Sequence, residues 1–511
     1  MKKLKNYVEI LDTTLRDGEQ TPGVAFTPAE KLHIARILLT RVKVDRIEIA
    51  SARVSSGEFE GVKAIIDWAA HRGVVDAVEI LGFVDGGKSV DWIAGAGCGV
   101  INLLCKGSER HCRIQLGKTP DEHYAAAVAE VKYAVERGLK VNIYLEDGIN
   151  GLNADFGYVY NFIRAFDGLP VQRFMVPDTL GNAEPELITR CFSWLRNAFP
   201  DKKFDFHGHN DYNMSTANTL AAARAGVSGV HATVNGLGER AGNQPLETAV
   251  VVLRDMGGFK TGVAEKQLAY ASSVVQALSG KRLAWNAPVV GQDVFTQTCG
   301  VHADGDKKGN LYANELLPER FGRTRNYALG KLAGKSSLDK NLEELGMELD
   351  PELRKKVLAE VVRLGDRKKS VAPTDLPFIV SNVLRTPMAS LVKVDKYNIT
   401  TKDGAAPKAS VAIRFSDGTL VAGEASGDGG FDAFVKALKK ALSGHGVKWP
   451  KLLDYEVRIP PGGKTDAIVE VSILWDDPHN DGATLRTIGV DSDQLVAAIT
   501  ATEKMLNFVL R

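Results

Sequence analysis

From Tyr7 to about residue 260, short runs of β-branched and apolar residues alternate with longer stretches whose apolar positions recur every three to four residues. Eight short runs read as strands: residues 8–11, 46–50, 78–81, 100–104, 141–145, 173–176, 204–207 and 229–234. Each is followed by a helical pattern, such as 28–39, 123–137 or 215–225. Eight strand–helix units in about 250 residues predict an α/β fold of the (β/α)8 TIM-barrel type. A doubly wound sheet is the competing reading, but no glycine fingerprint follows the first run.

Past the eighth unit the pattern loosens. Residues 265–278 look helical and lead to a Gly- and His-bearing segment, 291–305, then to a small helical unit at 326–366 with helices near 338–344 and 352–364. Pro373, Pro377 and Pro387 then punctuate a linker. From about residue 389 the texture is β-rich alternation (389–394, 408–415, 455–459, 467–474) interleaved with helices at 431–442 and 494–509. The expected domains are a catalytic barrel at 1–265, linker subdomains at 266–388 and a C-terminal α+β domain at 389–511.

Composition narrows the class without changing this picture. The 511 residues are 44% hydrophobic and 25% charged, with a formal charge of +1 and no basic or acidic run, so nucleic acid and membrane surfaces are not expected partners. No apolar stretch approaches the roughly 20 residues of a membrane span. Five cysteines without a Cys-x-x-Cys pair point to reduced thiols and a cytoplasmic enzyme.

A barrel concentrates its catalytic groups at the C-terminal ends of its strands. Polar residues gather there: the first run enters Asp12-Thr-Thr-Leu-Arg-Asp-Gly-Glu-Gln20, the fifth Glu146-Asp147, the sixth Pro177-Asp-Thr-Leu-Gly181. The seventh enters His207-Gly-His209 and the eighth Asn235-Gly-Leu-Gly-Glu-Arg-Ala-Gly-Asn243, while the N-terminal strand ends look plain. Side chains on a strand repeat with period two, so His207 and His209 share a face and form half a site for a divalent metal. Taken alone, such a pair also fits a structural role.

In this order, LDTTLRDGEQ from Leu11, HGHND from His207, NGLGERAGN from Asn235, GVHADG from Gly300 and the C-terminal region resemble the isopropylmalate synthase/homocitrate synthase/citramalate synthase family of acyl-CoA-dependent metalloenzymes. The resemblance covers essentially the full chain. It implies an acyltransferase that joins the methyl carbon of acetyl-CoA to the keto carbon of a 2-oxo acid and then hydrolyses the thioester. A divalent metal (manganese, zinc or magnesium) would be held by Asp17, His207 and His209, with Asn243 adding a neutral oxygen or supporting the shell. For Asp17 the alternative is a turn residue in Arg-Asp-Gly. Arg16 would stabilise the developing alkoxide, or form a salt bridge at the rim. Thr179 matches the position that binds the substrate carboxylate, and Glu146 could organise proton transfer or be structural. His302 would help deprotonate the acetyl methyl group or activate the hydrolytic water. Tyr312 matches a position near the thioester, and Asp304, Asn310 and Leu311 would touch CoA on the same loop, in this subunit's site or a partner's.

Ordinary isopropylmalate synthases carry Cys-Gly-Leu, His-Thr and Phe-Ser-Ala-Glu-Asp at the third, fourth and fifth strands. Here stand Leu81-Gly-Phe83, Asn102-Leu-Leu104 and Ile143-Tyr-Leu-Glu-Asp147. Leu81 and Tyr144 would shrink the substrate pocket, and with Leu104 line it with apolar surface. That favours pyruvate, as in pyruvate-specific members, over 2-oxoisovalerate, the acceptor of the alternative isopropylmalate-forming activity. 2-Oxoglutarate fits worse, because none of the three offers a cation. Gly427-Asp-Gly-Gly-Phe-Asp-Ala-Phe434, residues 454–463 and the 498–506 helix resemble the family's amino-acid-sensing module, which usually pairs across a dimer. A homodimer inhibited by isoleucine is expected, with Phe431, Leu452, Tyr455, Ile459 and Val469 lining the effector pocket or serving as core. A lyase or aldolase of the same barrel type is the second enzyme reading, and a non-catalytic barrel the third. The extra C-terminal domain speaks against the lyase, and the joint presence of Arg16, Asp17, Glu146, His207, His209 and His302 against the non-catalytic protein.

Overall fold

Eight parallel strands close in sequence order into a barrel: β1 (Glu9–Asp12), β2 (Arg46–Ser51), β3 (Val78–Phe83), β4 (Val100–Lys106), β5 (Lys140–Glu146), β6 (Val171–Asp178), β7 (Phe204–Gly208) and β8 (Gly229–Ala232). β1 seals the ring against β8, with Glu9 paired to Gly229 and Asp12 to Ala232. This computed structural model describes residues 6–309, 311–345, 347–366, 371, 373–384, 391–459, 469–477 and 484–510. The 388/389 boundary expected from the sequence and Asn310 lie outside them.

The strands are buried on both faces, which is why they read as apolar runs. Helices between them start on explicit caps. For Pro120–Glu136, the Thr119 hydroxyl accepts from the Glu122 N–H, Glu122 accepts from the Thr119 N–H, and proline occupies the first turn. Two elements differ from expectation. The first helix is α-helical only over Pro28–Arg36 and widens into a π-helical turn, Ile37–Val42. β8 stops at Ala232 because the Thr233 N–H turns to the Gln244 carbonyl and Asn235 takes a φ of 63°.

Alternation sends Arg46 and Glu48 of β2, Glu79 and Leu81 of β3, Asn102 and Leu104 of β4, Asn142 and Tyr144 of β5, and Asp205 and His207 of β7 toward the barrel axis. Contacts across the barrel follow from this. Arg46 meets Glu79 at 2.9 Å and Asp205 at 2.6 Å, and Arg173 meets Glu9 at 2.8 Å and Asp205 at 2.9 Å. The N-terminal strand ends are therefore not plain: two guanidinium groups and three carboxylates are buried there. Each of the five comes from a different strand, so nothing local marks the cluster. Removing one member of such a network costs about 3–5 kcal/mol, since its partners stay buried and charged.

The chain divides into two compact units, Met1–Phe295 with Asn314–Thr324, and Thr296–Ala313 with Arg325–Arg511. The helix Leu268–Ser279 belongs to the first, with Leu268, Ala271 and Val275 buried in the barrel's core. In the second unit, β9 (Thr296–Gln297) pairs in parallel with β10 (Asn326–Tyr327). The helices Lys335–Glu344, Pro351–Asp366 and Leu376–Leu384 contribute Leu338, Leu342, Val357, Val361, Leu376 and Ile379 to one small core. Two antiparallel sheets follow, β11 (Val392–Lys402), β12 (Ala405–Phe415) and β13 (Leu420–Ser426), then β14 (Leu452–Arg458), β15 (Val469–Asp476) and β16 (Thr484–Asp491). Each is followed by one helix, Gly430–Ala441 and Gln494–Val509, so a βββα unit occurs twice. The sequence reading lacked β13 and β16, whose residues show weak alternation.

Candidate active site

The turn after β1 and the end of β7 bring three ligand-type side chains together. Asp17, His207 and His209 are buried, with one ligand atom from each lying within 4.8 Å of the others. His207 Nε2 is 3.2 Å from Asp17 Oδ2 and 3.4 Å from His209 Nε2. Burial alone would raise the Asp17 carboxyl, but Arg16 and His207 beside it hold it well below the usual carboxylate range. His209 is pushed down to about 4 by burial and then by His207, so its ring is neutral at pH 7, as a ligand must be.

Asn243 lies beside His209, joined to it by an isolated antiparallel bridge. Its Nδ2 donates to the Leu237 carbonyl at 3.1 Å, whereas its Oδ1, like Asp17 Oδ1, is buried without a partner. Gly238 makes room for it, since a Cβ there would come 2.3 Å from Asn243 Nδ2. Two imidazoles, a carboxylate and an orphaned amide oxygen converge here. That donor set fits a divalent cation.

Arg16 occupies the wall of this cluster. Its Nε donates to Glu48 at 2.5 Å, Nη1 to Asp17 at 3.0 Å and Nη2 to the Tyr144 hydroxyl at 3.3 Å. Burial disfavours its charge, but Glu48 and Asp17 more than compensate, so the guanidinium stays protonated. The Tyr144 hydroxyl also lies 3.0 Å from His231 Nδ1, and its ring meets the His207 ring edge-on at 6.1 Å. Tyr144, Leu81, Leu11 and Met175 form a small buried apolar cluster, with Leu104 packed against it.

Around the rim, the Thr179 hydroxyl accepts from the Asp147 N–H at 2.9 Å and its carbonyl accepts from Arg240, which also grips Asp211. Glu146 is half-buried at the end of β5 and paired with Lys106. The remaining expected residues lie in the second unit. His302 and Asp304 sit on a helix, Gly300–Lys307, where a loop was expected; Asp304 pairs with Lys308 one turn on, at 2.6 Å. The His302 ring lies 4.2 Å from that of Tyr312, which is 47% exposed, and Leu311 is 72% exposed. Of the expected effector residues, Phe431 and Tyr455 meet at 5.2 Å, Val469 is in the core, and Leu452 and Ile459 are exposed.

Glu48, Lys106, Met175 and His231 were not marked by any motif, yet all share the barrel interior with the cluster. For Glu48 and Lys106 the signal is a charged residue two positions along from another inward residue: Arg46-x-Glu48 and Asn102-x-Leu104-x-Lys106.

Comparison with known proteins adds the lineage. The HMGL-like family model matches residues 7–275, the homocitrate synthase post-HMGL domain-like model residues 289–369, and the LeuA allosteric (dimerisation) domain residues 370–510. A Methanopyrus kandleri protein named "Putative (R)-citramalate synthase CimA" is 37% identical over 97% of this chain and 95% of its own length. The (R)-citramalate synthase of Methanocaldococcus jannaschii is 34% identical over 98% of this chain and 99% of its own. A protein of Methanopyrus kandleri named "Probable 2-isopropylmalate synthase" is also 34% identical, over 99% of both chains. With an HMGL-like barrel, a LeuA-type C-terminal domain and full-length relatives of this kind, the chain belongs to the isopropylmalate synthase/homocitrate synthase/citramalate synthase family of acyltransferases.

Proposed function

We propose that the protein condenses acetyl-CoA with pyruvate to give (R)-citramalate and CoA. The observation that carries this reading is the apolar cluster of Leu11, Leu81, Tyr144 and Met175 set directly against Arg16 and His207. A 2-oxo acid directed at Arg16 would place its side chain against that wall, and a methyl group needs far less room there than an isopropyl group. Relatives named for either product match about equally well, so the pocket rather than overall identity supports the choice.

A divalent cation held by Asp17, His207 and His209, with Asn243 beside them, would polarise the keto group as a Lewis acid; two imidazoles favour manganese or zinc over magnesium. Arg16, fixed by Glu48 and Asp17, offers a permanent charge to the oxygen that gains electron density as the carbon–carbon bond forms. The Thr179 hydroxyl can donate to the substrate carboxylate while it accepts from Asp147. Glu146 takes the proton from the acetyl methyl group, the resulting carbon attacks the keto carbon, and the new alkoxide takes up the proton that Glu146 gained. Water then attacks the thioester carbonyl, and CoA leaves as the thiol. His302 and Tyr312 serve the acetyl-CoA side, by family resemblance. The C-terminal domain pairs with that of a second copy and binds isoleucine as feedback inhibitor, with Phe431 and Tyr455 as pocket residues.

The test is release of free thiol by purified protein with acetyl-CoA, a manganese or zinc salt, and either pyruvate or 2-oxoisovalerate, with the products identified. Preferential use of pyruvate is expected. Preference for 2-oxoisovalerate would replace this reading with isopropylmalate synthesis.

A further inference from the structure

At the end of β4 stands a lysine that no motif marked. Lys106 turns inward with Asn102 and Leu104, is only 8% exposed, and pairs through Nζ with Oε2 of Glu146, its register partner on β5. Its peptide is gripped from the other side. The Lys106 N–H donates to His123 Nε2 at 3.3 Å, His123 Nδ1 lies 2.9 Å from the Tyr158 hydroxyl, and that hydroxyl donates to the Lys106 carbonyl at 3.3 Å. A backbone N–H can only donate, so Nε2 is the bare nitrogen and Nδ1 carries the hydrogen, a tautomer assigned from the network. The ring then closes with every donor meeting one acceptor. His123 is 2% exposed, and burial, followed by Lys118 and Lys106, pushes it down to about 4, which keeps Nε2 free to accept.

The two strand ends have no room to drift. The Gly107 N–H donates to the Glu146 carbonyl at 2.6 Å, and a Cβ on Gly107 would come 2.5 Å from the Leu145 carbonyl oxygen. A Cβ on Gly151 would stand 2.0 Å from the Gly107 carbonyl oxygen. Such anchoring is more than a salt bridge needs for stability, because an apolar side chain of similar shape is usually at least as favourable as a buried ion pair.

We propose that Lys106, anchored by His123 and Tyr158, is a positioning residue for Glu146, holding its carboxylate at one place in the barrel mouth for proton transfer. The inference rests on the proposed role of Glu146 and goes beyond it by naming what aims that group. Displacing a reacting group by about 1 Å can cost on the order of 100-fold in rate.

The experiment is a double-mutant cycle of Lys106→Met and Glu146→Gln in the full-length enzyme, with Lys106→Arg as the conservative variant and bound metal and thermal unfolding followed throughout. Lys106→Met is expected to lower kcat about 10- to 100-fold while both KM values stay within about threefold, as for an interaction made only in the transition state. Lys106→Arg should restore most of kcat, and Lys106→Met should cost nothing further once Glu146 is Gln. Tyr158→Phe, which opens the ring but keeps the ammonium, should lower kcat less, and carries the cycle if Lys106→Met does not fold. Parental kcat in Lys106→Met beside an impaired Glu146→Gln would overturn the inference and leave Glu146 in its role. So would losses that multiply in the double variant. An unimpaired Glu146→Gln would remove the role of Glu146 and the inference with it.

Discussion

Shortening Leu81 tests the substrate assignment most directly. Leu81 is 5% exposed and shares its cluster with Leu11, Tyr144 and Met175. Leu81→Ala removes three carbons from that wall, and 2-oxoisovalerate carries two carbons more than pyruvate. At about 0.8 kcal/mol per buried methylene, filling the new space stabilises the larger transition state by about 1.6 kcal/mol. At 1.36 kcal/mol per factor of ten, that is about 15-fold in kcat/KM. Relief of the clash adds to this, and at about 1–3 kcal/mol of pocket discrimination per methylene the two carbons are worth about 2–6 kcal/mol, so about 15-fold is the low end. The same substitution costs the fold about 2–5 kcal/mol, so an absolute rate would mix specificity with folding. The readout is therefore competition between the two acids on one preparation, in which the concentration of active enzyme cancels from the ratio. Tyr144 is a poorer probe, because its hydroxyl also contacts Arg16 and His231 and shortening it disturbs polar groups as well as volume. An active Leu81→Ala enzyme whose preference moves less than about twofold would refute the pocket.

Asp17→Asn and His209→Ala should each lose most bound metal and most activity while keeping the thermal unfolding of the metal-free parent; unchanged metal content by elemental analysis would remove the proposed site. Tyr144→Phe should lower stability by about 1 kcal/mol through the lost hydrogen bonds and reduce kcat more than KM, because Arg16 loses one of its three partners; unchanged kinetics would show that this contact does not orient the guanidinium. His123 binds its proton only near pH 4 in the fold but near 6.5 when unfolded. Its contribution is therefore complete above pH 6.5 and falls with pH, by about 2 kcal/mol at pH 5; denaturant unfolding at pH 7 and 5 should show a smaller drop in His123→Gln than in the parent. Isoleucine should inhibit the full-length enzyme with a coupling of about 1–3 kcal/mol, and inhibition by leucine alone would count against both the effector and pyruvate.

Local pattern was enough for much of this protein. All eight barrel strands lie where short apolar runs stand in the sequence, with only β8 ending early, because a strand buried on both faces must be apolar along its length. The metal-type cluster was legible because His207 and His209 are two positions apart on one strand and Asp17 follows another. Weakly alternating strands such as Leu420–Ser426 were not legible, since their half-exposed positions carry little periodicity.

What the tertiary structure alone decided is which inward side chains meet. Arg46 and Asp205 are 159 residues apart, and Arg16 and Tyr144 are 128 apart, yet each pair is in contact. A period of two tells which face of a strand a side chain occupies; the partner across the axis depends on the stagger with which eight strands close. That is why charged residues scattered over separate strands read as plain in the sequence and become a buried ion network, a clamp on Arg16, or an anchored Lys106–Glu146 pair once the barrel is shut.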